Sequence, residues 1–352
     1  MSTQHNIEEI ILNDASQAEY HAMNQHNSKI HLERQPDDPP VPLDEMIQSY
    51  QNIPKYLEIR LWSVWNETHA EIIAQGMVVL INTGDNQHLG QFEISVLPAY
   101  RRQGWARRLL TPITEAALAD NRRLLITTTY DRVPAGEAFL TCLRAKPGLP
   151  IRISQLPLSE LDGGLLDSWM RRGEERASEF ELGLWDGPYP EDQLEAISNL
   201  MELNNQQPFG EIEIEDMHMS PAQLRQSEQN LFARGSQRWT YYLIEKASGK
   251  FAGFTETTWN PNRPEILSQD MTGVFPEYRN QGLGRWLKAA MLEKVLKERP
   301  QVKFVRTGNA DMNKPMLKIN TGLGFKPYMA SIIWQVEISH IQTYLDQYRE
   351  EH

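Results

Sequence analysis

The chain of 352 residues is poor in several things, and each shortage removes a class of function. It holds one cysteine, Cys142, so no intramolecular disulfide and no Cys-rich zinc site can form. Cys142 falls in an apolar, helix-like stretch, Ala138 to Leu143, where a buried structural thiol is expected rather than a nucleophile. The nine histidines show no metal-ligand spacing, and no metal is expected. No run approaches the roughly 18 apolar residues of a membrane span. The opening MSTQHNIEEI has neither the basic start nor the apolar core of a secretion signal, so cytoplasm is the expected location and a membrane is not an expected partner. Positive charge is in deficit. With 35 Lys and Arg against 47 Asp and Glu the formal net charge is −12, which argues against a nucleic-acid surface and is compatible with a cationic amine drawn to an acidic surface. Neither a Gly-x-Gly-x-x-Gly dinucleotide fingerprint nor the Gly-Lys-Ser/Thr of a P-loop is present.

What is present is one segment written twice. Residues 96–110 read VLPAYRRQGWARRLL and residues 274–288 read VFPEYRNQGLGRWLK, so that Arg101 recurs 178 residues on as Arg279. A repeat of this length is domain-sized. The chain therefore reads as two copies of one domain, each with the same kind of ligand site. In each copy a strand precedes the segment and an amphipathic helix follows it. Between them stand Arg279, Gly282 and Gly284 in the second copy, and Arg101, Gly104 and Ala106 in the first. Small residues at a strand-to-helix turn let a ligand approach the backbone closely. The unpaired N–H groups of the first helical turn, at the positive end of the helix dipole, suit a pyrophosphate. An arginine there adds a charge-assisted hydrogen bond of about 1.5–3 kcal/mol.

The pattern Val-x-Pro-x-Tyr-Arg-x-Gln-Gly-x-Gly/Ala resembles the acyl-CoA pyrophosphate loop of the GNAT superfamily, the Gcn5-related N-acetyltransferases. Downstream, a strand at Val302–Thr307, then Asn309 and Asn313, a helix through Met316 and Ile319, and Leu323-Gly324-Phe325 resemble the family segment that runs beside the pantetheine arm. The whole chain is similar to tandem members of the family. The resemblance implies an α/β fold with two tandem domains, each a mostly antiparallel mixed sheet flanked by helices. It implies acetyl-CoA as cosubstrate and a small-molecule primary amine, possibly cationic, that attacks the thioester directly in the C-terminal domain. CoA would be held by Val274, Arg279, Asn280, Gln281, Gly282, Leu283, Gly284 and Arg285, with Asn309 and Asn313 along its arm and Arg101, Gly104 and Ala106 as the first copy's counterpart. Backbone amides near Val274 would bind the thioester oxygen. Where the family usually has a tyrosine that protonates the CoA thiolate, this chain has Asn320, which can donate a hydrogen bond but no proton. In the first copy Val133–Leu140 lacks the paired asparagines, so that copy reads as degenerate.

An amine of pKa near 10.4 is free base in only about one molecule in 10³ at neutral pH, so a general base is sought. Alternation along the strand before the loop puts Ser268, Asp270 and Thr272 on one face and Gln269, Met271 and Gly273 on the other. Asp270 is the first candidate base and Glu256, on the preceding strand, the second. The acidic connection from Glu211 to His218 is either a solvated loop or a patch that recognises cationic amines. Domains are expected at 1–157 and 178–352, with a linker helix at 158–177, in a monomer or homodimer. A non-catalytic acyl-CoA-binding module and an O-acyltransferase are the competing functions.

Overall fold

The computed structural model describes residues 7–350, and both halves of the chain spell the same order of elements. The first runs β1 (Ile7–Ile10), α1 (Gln17–Arg34), α2 (Leu43–Gln51), β2 (Leu57–Trp65), β3 (Ile72–Ile81), β4 (Leu89–Val96), α3 (Trp105–Ala119), β5 (Leu124–Tyr130), α4 (Pro134–Cys142) and β6 (Lys146–Pro157). After α5 (Gly163–Glu174) the second runs β7 (Phe180–Asp186), α6 (Leu194–Met201), α7 (Pro221–Ala233), β8 (Gln237–Glu245), β9 (Phe251–Trp259), β10 (Ile266–Val274), α8 (Leu283–Glu298), β11 (Phe304–Ala310), α9 (Lys314–Leu323) and β12 (Lys326–Glu337); α10 (Ile338–Glu350) follows. Local chemistry sets the helix starts. Ser16 with Glu19, and Ser220 with Gln223, form capping boxes at the heads of α1 and α7, each satisfying otherwise orphaned N–H groups.

The two compact units do not coincide with the two repeats. The first unit takes the chain up to Pro150, then Phe209–Asp216, then the chain from Ser331; the second takes Ile151–Pro208 and Met217–Ala330. The last strand of each repeat thus serves the unit built mainly from the other repeat. In the first unit the strand order is β1-β2-β3-β4-β5-β12, with Ser331–Glu337 antiparallel to β5. In the second it is β7-β8-β9-β10-β11-β6, with Ile151–Pro157 antiparallel to β11. All other neighbours are antiparallel except the parallel pairs β4–β5 and β10–β11. The expected cut after residue 157 therefore differs from the fold, because a strand's partner is chosen by edge complementarity and not by sequence proximity.

Other expectations are corrected in the same way. Leu158–Ala177 is not a linker: Leu166 and Trp169 of α5 belong to the core of the second unit. Gly173 lets α5 lie against α8, since a Cβ there would come within 2.2 Å of Trp286. Cys142 is exposed, because α4 turns Leu140 and Leu143 inward. Two acids of the acidic connection are tied down. Within the first unit Glu213 pairs with Arg123, the Asn86 backbone N–H donates to Glu215 Oε2 at 3.0 Å, and the Glu215 N–H donates to Asn86 Oδ1 at 2.7 Å. Among the described residues no helix is long and apolar enough to cross a membrane.

Residues 178–352 expressed alone would lack Ile151–Pro157 and α5 and would present Ser331–Glu337 as an unpaired strand, an aggregation template. That fragment is expected to be insoluble or to give a collapsed NMR spectrum, whereas 151–330 retains the whole of the second unit's sheet and ends before that strand; a well-dispersed spectrum from 178–352 would refute the strand assignment.

Candidate active site

Each repeated segment folds as one short turn with a fixed backbone. A 3-10 turn (Pro276–Tyr278, or Pro98–Tyr100) leads into a left-handed residue, Asn280 or Arg102, both at φ 63°, and then into a left-handed glycine cap, Gly282 at 84° or Gly104 at 85°. Left-handed geometry turns successive N–H groups to one side, the arrangement of an anion nest, and the helix N-terminus of α8 or α3 adds its own donors. Val274 ends β10, Arg279–Gly282 form the turn and Leu283–Arg285 open α8; in the first unit Arg101 and Gly104 lie in the turn and Ala106 in the first turn of α3. The arginines differ. Arg279 donates through Nε to the Val274 carbonyl at 3.0 Å, and among the described residues its terminal nitrogens have no partner. Arg101 makes the same bond to Val96 at 3.0 Å, but its Nη1 is held by Glu33 at 2.7 Å, so its charge is already neutralised.

The strand that leads into the second unit's loop borders an opening in its sheet. β10 and β11 pair only at Ile266–Phe304, Leu267–Val305 and Ser268–Arg306, and then diverge. The divergence is a cavity of about 290 Å³, lined from β10 by Gln269, Asp270, Met271 and Thr272, from β11 by Thr307, Gly308 and Asn309, from α8 by Lys288, and by Asn204, Gln207, Asn313 and Met316. Within β10 the register against β9 slips: Gln269 faces Thr257, yet Thr272 faces Thr255. Three steps on one strand against two on the other is a β-bulge at Asp270–Met271, which re-aims side chains. Thr272 consequently lies on the face of Gln269, not of Asp270. The hydroxyls of Thr255 and Thr272 are 2.7 Å apart, and Gln269 Nε2 donates to Thr255 Oγ1 at 3.0 Å.

Asp270 and Glu256 share the opposite face. Asp270 accepts from Thr258 Oγ1 at 2.9 Å. Glu256 accepts from Tyr189 Oη at 2.6 Å and Thr240 Oγ1 at 2.9 Å, with Arg238 Nε 3.6 Å away. The Asp270 residue as a whole is solvent-exposed through the cavity, but its carboxyl is crowded by protein. That desolvation, reinforced by the Glu256 charge, pushes its pKa up to about 7 against the pull of the Thr258 hydrogen bond, Arg234 and Arg238. Asn320, the candidate at the tyrosine position, is buried behind the cavity wall; its Nδ2 donates to Asn309 Oδ1 at 2.7 Å. Asn313 lines the cavity and also caps α9, accepting from the Met316 N–H at 3.3 Å.

Sequence reasoning missed Lys288. It stands at 2 % exposure on the inward stripe of α8 with Leu287, Met291 and Leu292, and burial alone lowers its pKa to about 7. The signal was a cation at an apolar position of an amphipathic helix, opposite Leu110 in the repeat. Comparing the copies shows how much else differs. Across the bulge the offset between copies grows from 177 (Leu89 to Ile266) to 178 (Val96 to Val274), and from β5 and β11 onward it is 180 (Leu124 to Phe304). On that register Gln269, Lys288, Asn320 and Ser154 of the second unit answer to Phe92, Leu110, Leu140 and Trp334 of the first, all four of which belong to its apolar core. The first unit's β4 meets β3 without a bulge, and its own cavity, about 170 Å³, lies between α1 and strands β2–β4 rather than at the divergence.

The comparisons agree with this geometry. The Acetyltransferase (GNAT) family matches the chain at residues 16–141 and again at 197–320; the protein belongs to the GNAT family and carries two copies of its domain. A tandem GNAT protein from the clavulanic acid biosynthesis pathway is similar over 95 % of this chain and 99 % of its own, at 23 % identity and a TM-score of 0.75. A GCN5-related N-acetyltransferase from Sphaerobacter thermophilus is similar over 94 % of this chain and 96 % of its own, at 12 % identity and a TM-score of 0.62. No curated protein matches the chain.

Two predictions follow from the geometry. A side chain at position 282 meets no atom within 4 Å, so Gly282→Asp costs only about 1–2 kcal/mol of left-handed strain while placing a carboxylate in the anion nest; CoA affinity at the second unit is expected to fall at least tenfold in calorimetry with the fold retained. Lys288→Leu, which copies the first unit, is expected to stabilise the ligand-free protein. The folded pKa of Lys288 is about 7 against an ordinary 10.5, so between these values the unfolded chain binds more protons and the lysine's penalty shrinks as pH rises. The gain on substitution, on the order of 3–5 kcal/mol at or below pH 7, is expected to fade toward pH 10 in denaturant titrations.

Proposed function

We propose that the second unit transfers an acyl group from an acyl-CoA to a small primary amine, with acetyl-CoA the simplest donor. The observation that carries this reading is the polar cavity where β10 and β11 part, lined by Asp270 and Asn309, on the strand that leads directly into the open turn at Arg279–Gly282. An acyl-CoA would supply the acyl group already activated as a thioester. The nest, Arg279 and the α8 N-terminus would hold its pyrophosphate, and Asn309 the arm that follows. Asp270, near half ionised at neutral pH, would take the proton from an incoming ammonium. Glu256, fixed by Tyr189, Thr240 and Arg238, raises the pKa of Asp270 and so makes it the stronger base. Asn320 has no proton to give and holds Asn309, which does line the cavity, from behind. The first unit keeps the nest but fills the divergence with Phe92, Leu110, Leu140 and Trp334, which supports a structural or CoA-holding role for it.

The test is thiol release from acyl-CoA with a panel of amines across pH. Because the carboxylate form of Asp270 gains population as pH rises, kcat/KM is expected to climb through a limb centred near pH 7. Asp270→Asn should lower kcat at least 10²-fold and remove that limb. An unchanged profile in the variant would reject Asp270 as base, and absence of thiol release with every amine would reject the transferase reading.

A further inference from the structure

Lys288 is left without a task by the acyl-transfer reading. It sits five residues beyond Leu283, about 7.5 Å along α8, on the helix whose first turn belongs to the anion nest. It is 2 % exposed, yet it lines the cavity. Among the described residues its Nζ makes no hydrogen bond or ion pair; its contact is with the Phe325 ring, 5.6 Å from the centroid. Nearby, the buried Oδ1 of Asn320 is also without a partner among the described residues. The fold does not require a lysine here, since Leu110 fills the same helix position at 0 % exposure in the first unit. A buried, unpaired ammonium is disfavoured until an anion reaches it.

The protein's own acids are turned away from it. Thr255 and Thr257 point to the α8 side, as the bond from Thr257 Oγ1 to Met291 Sδ at 3.2 Å shows, and Gln269 and Thr272 join them there. Asp270 and Glu256 occupy the other face, bonded to Thr258, Tyr189 and Thr240. The cavity thus has two sides: one with a base for an incoming amine, and one with a bare cation on the helix that begins at the nest.

We infer that Lys288 pairs with a carboxylate carried on the acyl group of the donor, so that the second unit selects ω-carboxyacyl thioesters of the malonyl or succinyl class over uncharged ones. The inference rests on the acyl-CoA reading above and narrows its donor.

Calorimetry on the full chain at pH 6.5 would compare succinyl-CoA and malonyl-CoA with the uncharged butyryl-CoA and with CoA itself, for the wild type and for Lys288→Met, whose unfolding midpoint reports that it folds. Gly282→Asp separates binding at the first unit's loop. The expected result is at least tenfold tighter binding of a carboxyacyl thioester than of butyryl-CoA, lost in Lys288→Met. Nitrogen-15 NMR of the Lys288 Nζ, assigned by its disappearance in the variant, should show the amine driven to its charged form by succinyl-CoA but not by butyryl-CoA. Equal affinities in the wild type, or a preference that survives in Lys288→Met, would overturn the inference while leaving the acyl-CoA reading intact. Failure of every thioester and of CoA to bind would overturn both. If the donors bind equally but an amino acid binds the CoA complex more tightly than its amide, and Lys288→Met abolishes that difference, the carboxylate belongs to the acceptor and the donor assignment falls.

Discussion

Two parallel strands that pair for three residues and then part are the constraint around which the second unit is organised. Past Ser268 and Arg306 the facing edges of β10 and β11 no longer serve each other, and backbone N–H and C=O groups away from a ladder need partners. A parted pair of strands is therefore a ready site for an extended, amide-containing ligand. The turn after β10 leads straight into α8, so one strand-to-helix turn fixes both the left-handed backbone at Asn280 and Gly282 and which helix presents Lys288 to the cavity. The bulge at Asp270–Met271 completes the arrangement. It inserts one residue, throws Asp270 to one face, and keeps Gln269 and Thr272 together on the other.

The first unit has the same constraint and answers it differently. Its parallel strands also pair at only three positions, Leu89–Leu124, Gly90–Leu125 and Gln91–Ile126. There the space beyond is closed with apolar volume: Phe92 from β4, Leu110 from α3, Leu140 from α4 and Trp334 from β12. Trp334 still finds a partner for its indole, donating to Thr129 Oγ1 at 2.8 Å, as a buried tryptophan should. The second unit places Ser154 where Trp334 stands and polar groups at the other three positions. Each such exchange gives up core packing, typically several kcal/mol for a large side chain. A domain that gives up packing at four positions, one of them taken by a buried, unpaired lysine, carries the kind of instability that binding sites carry and scaffolds do not.

Much of this was legible in the sequence, for identifiable reasons. The loops were readable because left-handed backbone demands glycine at 104 and 282, and helix and strand periods are strong where elements are long. The family motif pointed to Asn309 and Asn313, and both line the cavity. Three things were not readable. The bulge broke the two-residue alternation, so Thr272 was assigned to the wrong face; an inserted residue leaves no mark in a single strand and shows only as a change of offset between the copies. The exchange of last strands was hidden because β6 and β12 have equivalent patterns, and nothing local says which β5-like edge each one joins. Glu213 and Glu215 looked like free acids because their partners, Arg123 and Asn86, lie some ninety or more residues earlier in the chain.

The electrostatics of the cavity follow from one cause acting on two charges of opposite sign. Removing water from a carboxyl favours its neutral acid, and removing water from an ammonium favours its neutral amine. Crowding therefore raises Asp270 and lowers Lys288 until both titrate near pH 7, and neither carries a settled charge before a ligand arrives. A ligand that brings a cationic amine to the Asp270 face and an anion to the Lys288 face would ionise both groups at once, each by the same gain in solvation that the empty cavity denies them. A ligand lacking either charge would leave one group to titrate as before. The polarity of this cavity is thus directional across the sheet, acid on one face and base on the other, a feature that the net charge of −12 does not convey.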